Sequence, residues 1–359
     1  MTTYNSSRPL AAPPQTLKKK QTHRQQHSAP KIPSLVYGLA LAMALGLFAM
    51  LLGRWMPIIG GPVFGIVLGM AIRNVVGVGA MFQPGLRFAS KQVLQWSIIA
   101  LGFGLSLQQV AKTGAESLWV TLITITVAFV SAALLGKWLG IPSRLKILIG
   151  VGTAICGGSA IAAVTPIIKP EDHETAFAIS TIFLFNVVAV LTFPLMGHWL
   201  GMSDTGFGMW AGTAINDTSS VVAAGYSYSV AAGDYATIVK LTRATLIIPI
   251  CIVLAGFVAW REKKSGGAKV GLRQIFPWFI LWFLVASAVR SSGLIPEGLD
   301  FILKFLAQFL IVVALTAIGL SSDLRNMVRA GARPIVLGLG VWVAVAVSSL
   351  LVQHFMGTW

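Results

Sequence analysis

Between Gly212 and Gly225 the sequence reads Gly-Thr-Ala-Ile-Asn-Asp-Thr-Ser-Ser-Val-Val-Ala-Ala-Gly, which sets Asn216, Asp217, Thr218, Ser219 and Ser220 in a row inside an otherwise apolar stretch. Asp217 is the one acid deep in such a stretch, with Asp204 and Asp234 near its two ends. An ionised carboxylate at mid-bilayer costs about 2.5 to 3.5 kcal/mol on insertion scales, so it must face protein or water. A related string comes earlier, Gly152-Thr153-Ala154-Ile155-Cys156-Gly157-Gly158-Ser159-Ala160-Ile161-Ala162-Ala163, with the same first four residues and Ser159 opposite Ser219. Both strings flank helix-weakening residues with apolar ones, the pattern of a discontinuous membrane helix or a re-entrant hairpin.

Lys240 and Arg243 follow, three apart and so on one helical face. Lys240 could snorkel outward, but Arg243 lies too deep and needs Asp217, backbone carbonyls or an anionic ligand. An Asp217 to Arg243 ion pair holding two helices together weighs equally with a substrate-binding role. Uncapped N–H groups at a half-helix start carry partial positive charge, and glycine lets an anion approach them. Cys156, Gly157, Gly158 and Ser159 form one such break, and Asn216, Thr218, Ser219 and Ser220 the other. Asp217 would repel an anion unless protonated or paired. Its expected work is ion coupling, with H+ or Na+ as the ion.

These groups need a membrane scaffold, and the composition supplies one. Of 359 residues 56% are hydrophobic and 11% charged, and the mean hydropathy is +0.80, values outside any soluble class. The net charge of +16 does not mean nucleic acid, because Lys and Arg gather in alternate loops as the positive-inside rule requires. Residues 1–33 hold no acid and read as a disordered basic cytoplasmic tail. Residues 34–359 form a transmembrane domain with eleven apolar stretches, among them 93–110, 118–139, 145–165, 205–229 and 236–260. Removing 145–165 and 205–229 from the count keeps every basic loop on one side, so about 9 to 11 segments are expected. The amino terminus is then inside and the carboxyl terminus outside.

Smaller signals fit the same frame. Leu101-Gly102-Phe103-Gly104-Leu105-Ser106 and Ala317-Ile318-Gly319-Leu320-Ser321 echo one another an odd number of segments apart, as inverted repeats would. Gly61, Gly65 and Gly69 recur every fourth residue, which allows close helix contact. Asn186 and Thr192 are expected to pack or bond across helices. Glu171-Asp172-His173-Glu174 looks like a metal patch in composition but suits a helix start better. No metal or disulfide motif follows from Cys156 and Cys251, no nucleotide loop is present, and no second acid, His or Cys accompanies Asp217 as an enzyme would need.

Ala154 to Ala160, then Asn216 to Gly225, then Lys240-Leu241-Thr242-Arg243 together resemble the YeiH-like family of bacterial inner membranes, proposed sulfate exporters, over about residues 34–359. Some members carry His-Glu where this chain has Asn216-Asp217. The resemblance implies a distant tie to bile-acid/sodium symporter and cation/proton antiporter folds, with a core of broken helices moving against a panel.

The reading is therefore an all-α polytopic membrane protein with two interrupted or re-entrant helices in inverted repeats, no enzyme and no cofactor. It is expected in the cell inner membrane as a secondary transporter exporting a small anion, sulfate or an organic sulfonate. Lys240 and Arg243 would balance substrate charge, the two breaks would bind it, and Asp217 would carry the coupling ion. A cation/proton antiporter with Asp217 as ligand, and a non-transporting subunit or sensor, are the alternatives. The partners expected are the anion and the lipid bilayer, with a homo-oligomer left open and nucleic acid excluded.

Overall fold

The computed structural model describes residues 32–56, 60–262, 277–328 and 331–359. Most of the expected tail, residues 1–31, lies outside them, and so does the basic stretch 263–276. Among the described residues the chain is helical throughout, with no strand. In an apolar solvent each backbone N–H and C=O must be satisfied within its own segment, which the helix does.

The helices run in chain order α1 (Ile32–Trp55), α2 (Gly60–Val75), α3 (Gln83–Phe88), α4 (Leu94–Gly102), α5 (Leu107–Trp138), α6 (Ser143–Ala154), α7 (Gly158–Ile168) and α8 (Asp172–Trp199). There follow α9 (Asp204–Ala214), α10 (Thr218–Tyr228), α11 (Val230–Thr245), α12 (Ile247–Glu262), α13 (Trp278–Ser291), α14 (Glu297–Ser321), α15 (Leu324–Val328) and α16 (Ala332–Met356). A π-helical turn, Ala89–Val93, joins α3 to α4.

Six helical spans among the described residues are long and apolar enough to cross a membrane, one of them Val230–Phe257 made of α11 and α12 together, and α2, α7 and α13 are shorter apolar helices. Eleven stretches were expected, and the boundaries differ for local reasons. The stretches 93–110 and 118–139 do not part near Lys112. The break falls earlier, between Gly102 and Leu107, where the Ser106 hydroxyl caps α5 by accepting the Gln109 N–H at 3.2 Å. Lys112 stays helical, 3.9 Å from Glu116 one turn on. The stretch 236–260 divides at Leu246 because Pro249 has no N–H to give the Thr245 carbonyl.

Two groups of helices pack side by side. In one, α1, α2, α3, α4 and α14 pack on each other, with Leu86, Val93, Val313 and Leu320 among the residues buried between them. The expected glycine contact is here. A β-carbon on Gly65 would lie 2.6 Å from the Thr316 hydroxyl, and one on Gly69 would lie 2.6 Å from the Thr316 carbonyl. The other group holds α5, α6, α8, α9, α10, α11 and α16 around a larger core. Helix α10 bridges the groups by packing on α2 and α14 as well.

Within the second group each interrupted stretch folds back on itself. The Ser229 hydroxyl beyond α10 donates to the Asp204 carboxylate at the start of α9, 2.6 Å away, and the Tyr228 hydroxyl donates to the Met202 carbonyl. So α9 and α10 form a hairpin with both open ends together. Likewise α6 and α7 fold together, with Gly152 against Ile161. Three residues then lead into α8, whose start is a capping box between Glu171 and Glu174. The acidic cluster Glu171-Asp172-His173-Glu174 thus caps a helix start, as expected.

Candidate functional site

The tips of the two hairpins touch. Gly157 holds φ +67°, a conformation that L side chains rarely adopt, and a β-carbon there would meet the Asp217 β-carbon at 3.4 Å. The first tip is thus Ile155-Cys156-Gly157 and the second Ile215-Asn216-Asp217. Asp217 is also tied to α8, its N–H donating to the Asn186 Oδ1 at 3.3 Å.

The basic pair of α11 holds the tips from behind. The Lys240 ammonium donates to the Ile155 carbonyl of the first tip and the Ile215 carbonyl of the second, each at 2.8 Å. Arg243 donates from Nε to the Ala154 carbonyl at 2.6 Å and from Nη2 to the Thr153 carbonyl at 3.1 Å. Both side chains are fully buried. Of the three partners open to Arg243, the chain's own carbonyls are the ones it meets. No ion pair joins it to Asp217 among the described residues. These carbonyls end α6 and α9, where unsatisfied C=O groups and the helix dipole concentrate negative charge.

The tips differ at the start of their second helices. Asp217 caps α10 itself, its Oδ2 accepting the Ser219 N–H at 3.0 Å and the Ser219 hydroxyl too. Helix α7 has Gly157 at its N-cap and so no side-chain cap. The Cys156 sulfur meets the Ala160 N–H, and of the first turn Ser159 is the residue that reaches the cavity described next.

A cavity of about 510 Å³ lies against this uncapped start. Ser159, Asp217, Thr218 and Ser219 of the expected site residues line it. Cys156, Gly157, Gly158, Asn216 and Ser220 are not in its wall, and neither are Lys240 and Arg243, which were expected to balance a substrate's charge. Asn216 is buried at 1% exposure, and its two amide atoms have no protein partner.

The wall adds residues that sequence reasoning did not select, Lys91 and Ser90 from the π-helical turn, Gln95, Ser180, Asp323 and Asn326. Lys91 stood out only as a loop charge. A π turn inserts one residue and re-aims its neighbours, and such turns recur at functional sites, but nothing in the local sequence marks this one. Arg73, 4.0 Å from Asp323, anchors the same end of the molecule.

An all-helical membrane protein with two hairpin tips in contact beside a polar cavity is the class these features define. The chain belongs to the family described as conserved hypothetical protein 698, which matches residues 37–338. It is 42% identical over 343 residues to a UPF0324 membrane protein of Fusobacterium nucleatum, covering 90% of this chain and 98% of that one. A UPF0324 membrane protein of Streptococcus agalactiae is 41% identical over 340 residues, with 92% and 98% covered. One of Streptococcus pyogenes is 44% identical over 334 residues, with 90% and 97% covered. The YeiH-like resemblance is consistent with this membership.

Proposed function

We propose that the protein is a secondary active transporter of a small oxyanion, of the sulfate or organic sulfonate class, in the bacterial inner membrane. The observation that carries this reading is the contact of two hairpin tips, Gly157 against Asp217, beside a cavity of about 510 Å³. Irregular backbone at membrane depth is tolerated only where it is buried in protein or lines a cavity, and transporters place their sites there. The anion would accept N–H groups from the uncapped start of α7 and the Ser159 hydroxyl, with Lys91 supplying opposite charge. Asp217 would carry a coupling proton. Nine crossings and two re-entrant hairpins entering from opposite faces match the charge pattern. Arg73, Arg87, Lys91, Lys137, Arg144, Lys146, Arg325 and Arg333 then share the cytoplasmic side.

One observation favours cation/proton antiport instead: Asp217 and Asp323 give the cavity two carboxylates against the single ammonium of Lys91. Counterflow of labelled sulfate in proteoliposomes separates the two. Wild type should exchange sulfate, Lys91→Gln should raise the KM about tenfold, the worth of one charge-assisted contact of about 1.4 kcal/mol, and Asp217→Asn should lose response to a pH gradient. Equal exchange by all three rejects the proposed site, and sodium-dependent proton flux without sulfate exchange selects the antiporter.

A further inference from the structure

We infer that Lys240 is a built-in counter-ion: its ammonium occupies the place between the two hairpin tips at which a free monovalent cation would otherwise bind, so the tips assemble without sodium. The argument starts from the acceptors. Four carbonyls, of Thr153, Ala154, Ile155 and Ile215, converge from the ends of two helices. Carbonyls of unwound backbone at half-helix ends are the ligands that membrane transporters use for coupling cations, and two converging dipoles raise the local negative potential further. Such a cluster needs hydrogen-bond donors to stay buried, and a cationic donor also offsets the helix dipoles.

In this chain the charge is covalently attached. Lys240 spans both tips with two bonds of 2.8 Å, and Arg243 takes the remaining pair of carbonyls at 2.6 and 3.1 Å. Both heads are at 0% exposure, so the arrangement is no snorkelled surface contact. A second cation among these carbonyls would face two like charges in a medium of low dielectric constant. Because one ammonium bonds both tips, it also ties α6–α7 to α9–α10, which makes the hairpins move together. The consequence for coupling rests on the transporter reading: with this place filled, the gradient ion is the proton on Asp217 rather than sodium. The occupancy by Lys240 does not rest on it.

The test uses the purified full-length chain in detergent, with unfolding followed by tryptophan fluorescence in sodium, potassium, methylammonium and choline chloride at equal ionic strength. Wild type should melt within about 1 °C in all four, whereas removing the buried charge should lower the Tm by roughly 5–10 °C. Lys240→Gly opens the space and removes the charge, so part of its loss should return with methylammonium, and with sodium or potassium if they fit the carbonyls. Lys240→Arg, which keeps the charge, should fall between wild type and Lys240→Gly in choline. Stabilisation of wild type by sodium over choline would overturn the inference, as would a Lys240→Gly protein as stable as wild type or one that no cation restores. Should Lys240→Gly not survive purification, the wild-type and Lys240→Arg arms still decide, because a sodium-stabilised wild type or an Arg variant that sodium restores overturns it alone. A failed sulfate assay would reject the transporter reading and leave these melting curves as they are.

Discussion

Asp217 holds two jobs that one substitution can separate. Its Oδ2 caps α10 through the Ser219 N–H, and the same side chain lines the cavity. Asn is an equally good N-cap, whereas Ala loses the cap at about 0.5 to 2 kcal/mol. Asp217→Asn should therefore melt close to wild type but lose proton-driven uptake, and Asp217→Ala should lose both. If Asp217→Asn kept its pH-gradient response in proteoliposomes, the carboxylate would be a cap and nothing more. Arg243 is a sharper case, because truncation strands two buried carbonyls, those of Thr153 and Ala154. Arg243→Ala should cost roughly 2 to 6 kcal/mol, about 1 to 3 for each stranded buried acceptor, and show up as loss of monodisperse protein in size-exclusion chromatography. The three-residue spacing of Lys240 and Arg243 by itself puts them on one face. Their acceptors were not legible, because a buried guanidinium is satisfied equally by a carboxylate, carbonyls or a ligand, and only three-dimensional proximity selects among them.

At the scale of elements, the glycines of α2 test whether the helices meet backbone to backbone. A β-carbon on Gly69 would lie 2.6 Å from the Thr316 carbonyl and 2.7 Å from the Leu320 N, both main-chain atoms that no rotamer change can move aside. Gly69→Ala should cost about 1 to 3 kcal/mol as overpacking, read as a lower melting temperature by tryptophan fluorescence. Gly256→Ala on α12, where a β-carbon meets nothing within 4 Å, should be neutral or gain about 0.5 to 1 kcal/mol from helix propensity. Equal melting of the two variants would remove the close-contact argument. The four-residue glycine period foretold this contact, and the polar runs at Cys156–Ser159 and Asn216–Ser220 foretold two interruptions. The start of α5 was hidden for a reason of chemistry: Ser106 reads as one more small residue until its hydroxyl is seen to cap Gln109. Lys112 and Glu116, which looked like a loop, support each other inside the helix.

Over the whole molecule the two ends of the helix bundle are unequal. The cavity reaches the hairpin tips from the end that carries Lys91, Asp323 and Asn326. At the other end lies a void of about 20 Å³ lined by Leu101, Tyr226, Asp234, Lys304 and Gln308, room for about one water. A cavity of about 360 Å³ against α1, α2 and α14 shares Tyr226 and Gln308 with it, and neither has a hairpin-tip residue in its wall. There the Tyr226 hydroxyl donates to the Asp234 carboxylate, and α10 packs on α2 and α14 to join the two helix groups. On the transporter reading proposed above, a cavity that meets the tips from one end only is the form open to one side. If the basic end lies in the cytoplasm, as the positive-inside rule expects, that side is the inside. Single cysteines test it, in a background where the buried Cys156 and Cys251 are replaced by Ala. Ser180→Cys and Ser322→Cys line the open cavity and should react with a membrane-impermeant maleimide at least roughly tenfold faster in inside-out than in right-side-out vesicles, since access scales with the accessible population. Leu101→Cys should react slowly from both sides. Labelling of Ser180→Cys from the outside, or fast labelling of Leu101→Cys, would place the opening at the wrong end. A saturating anion that closes the cavity should slow Ser180→Cys and speed Leu101→Cys together, because a ligand shifts the balance between two states only through its different affinity for them.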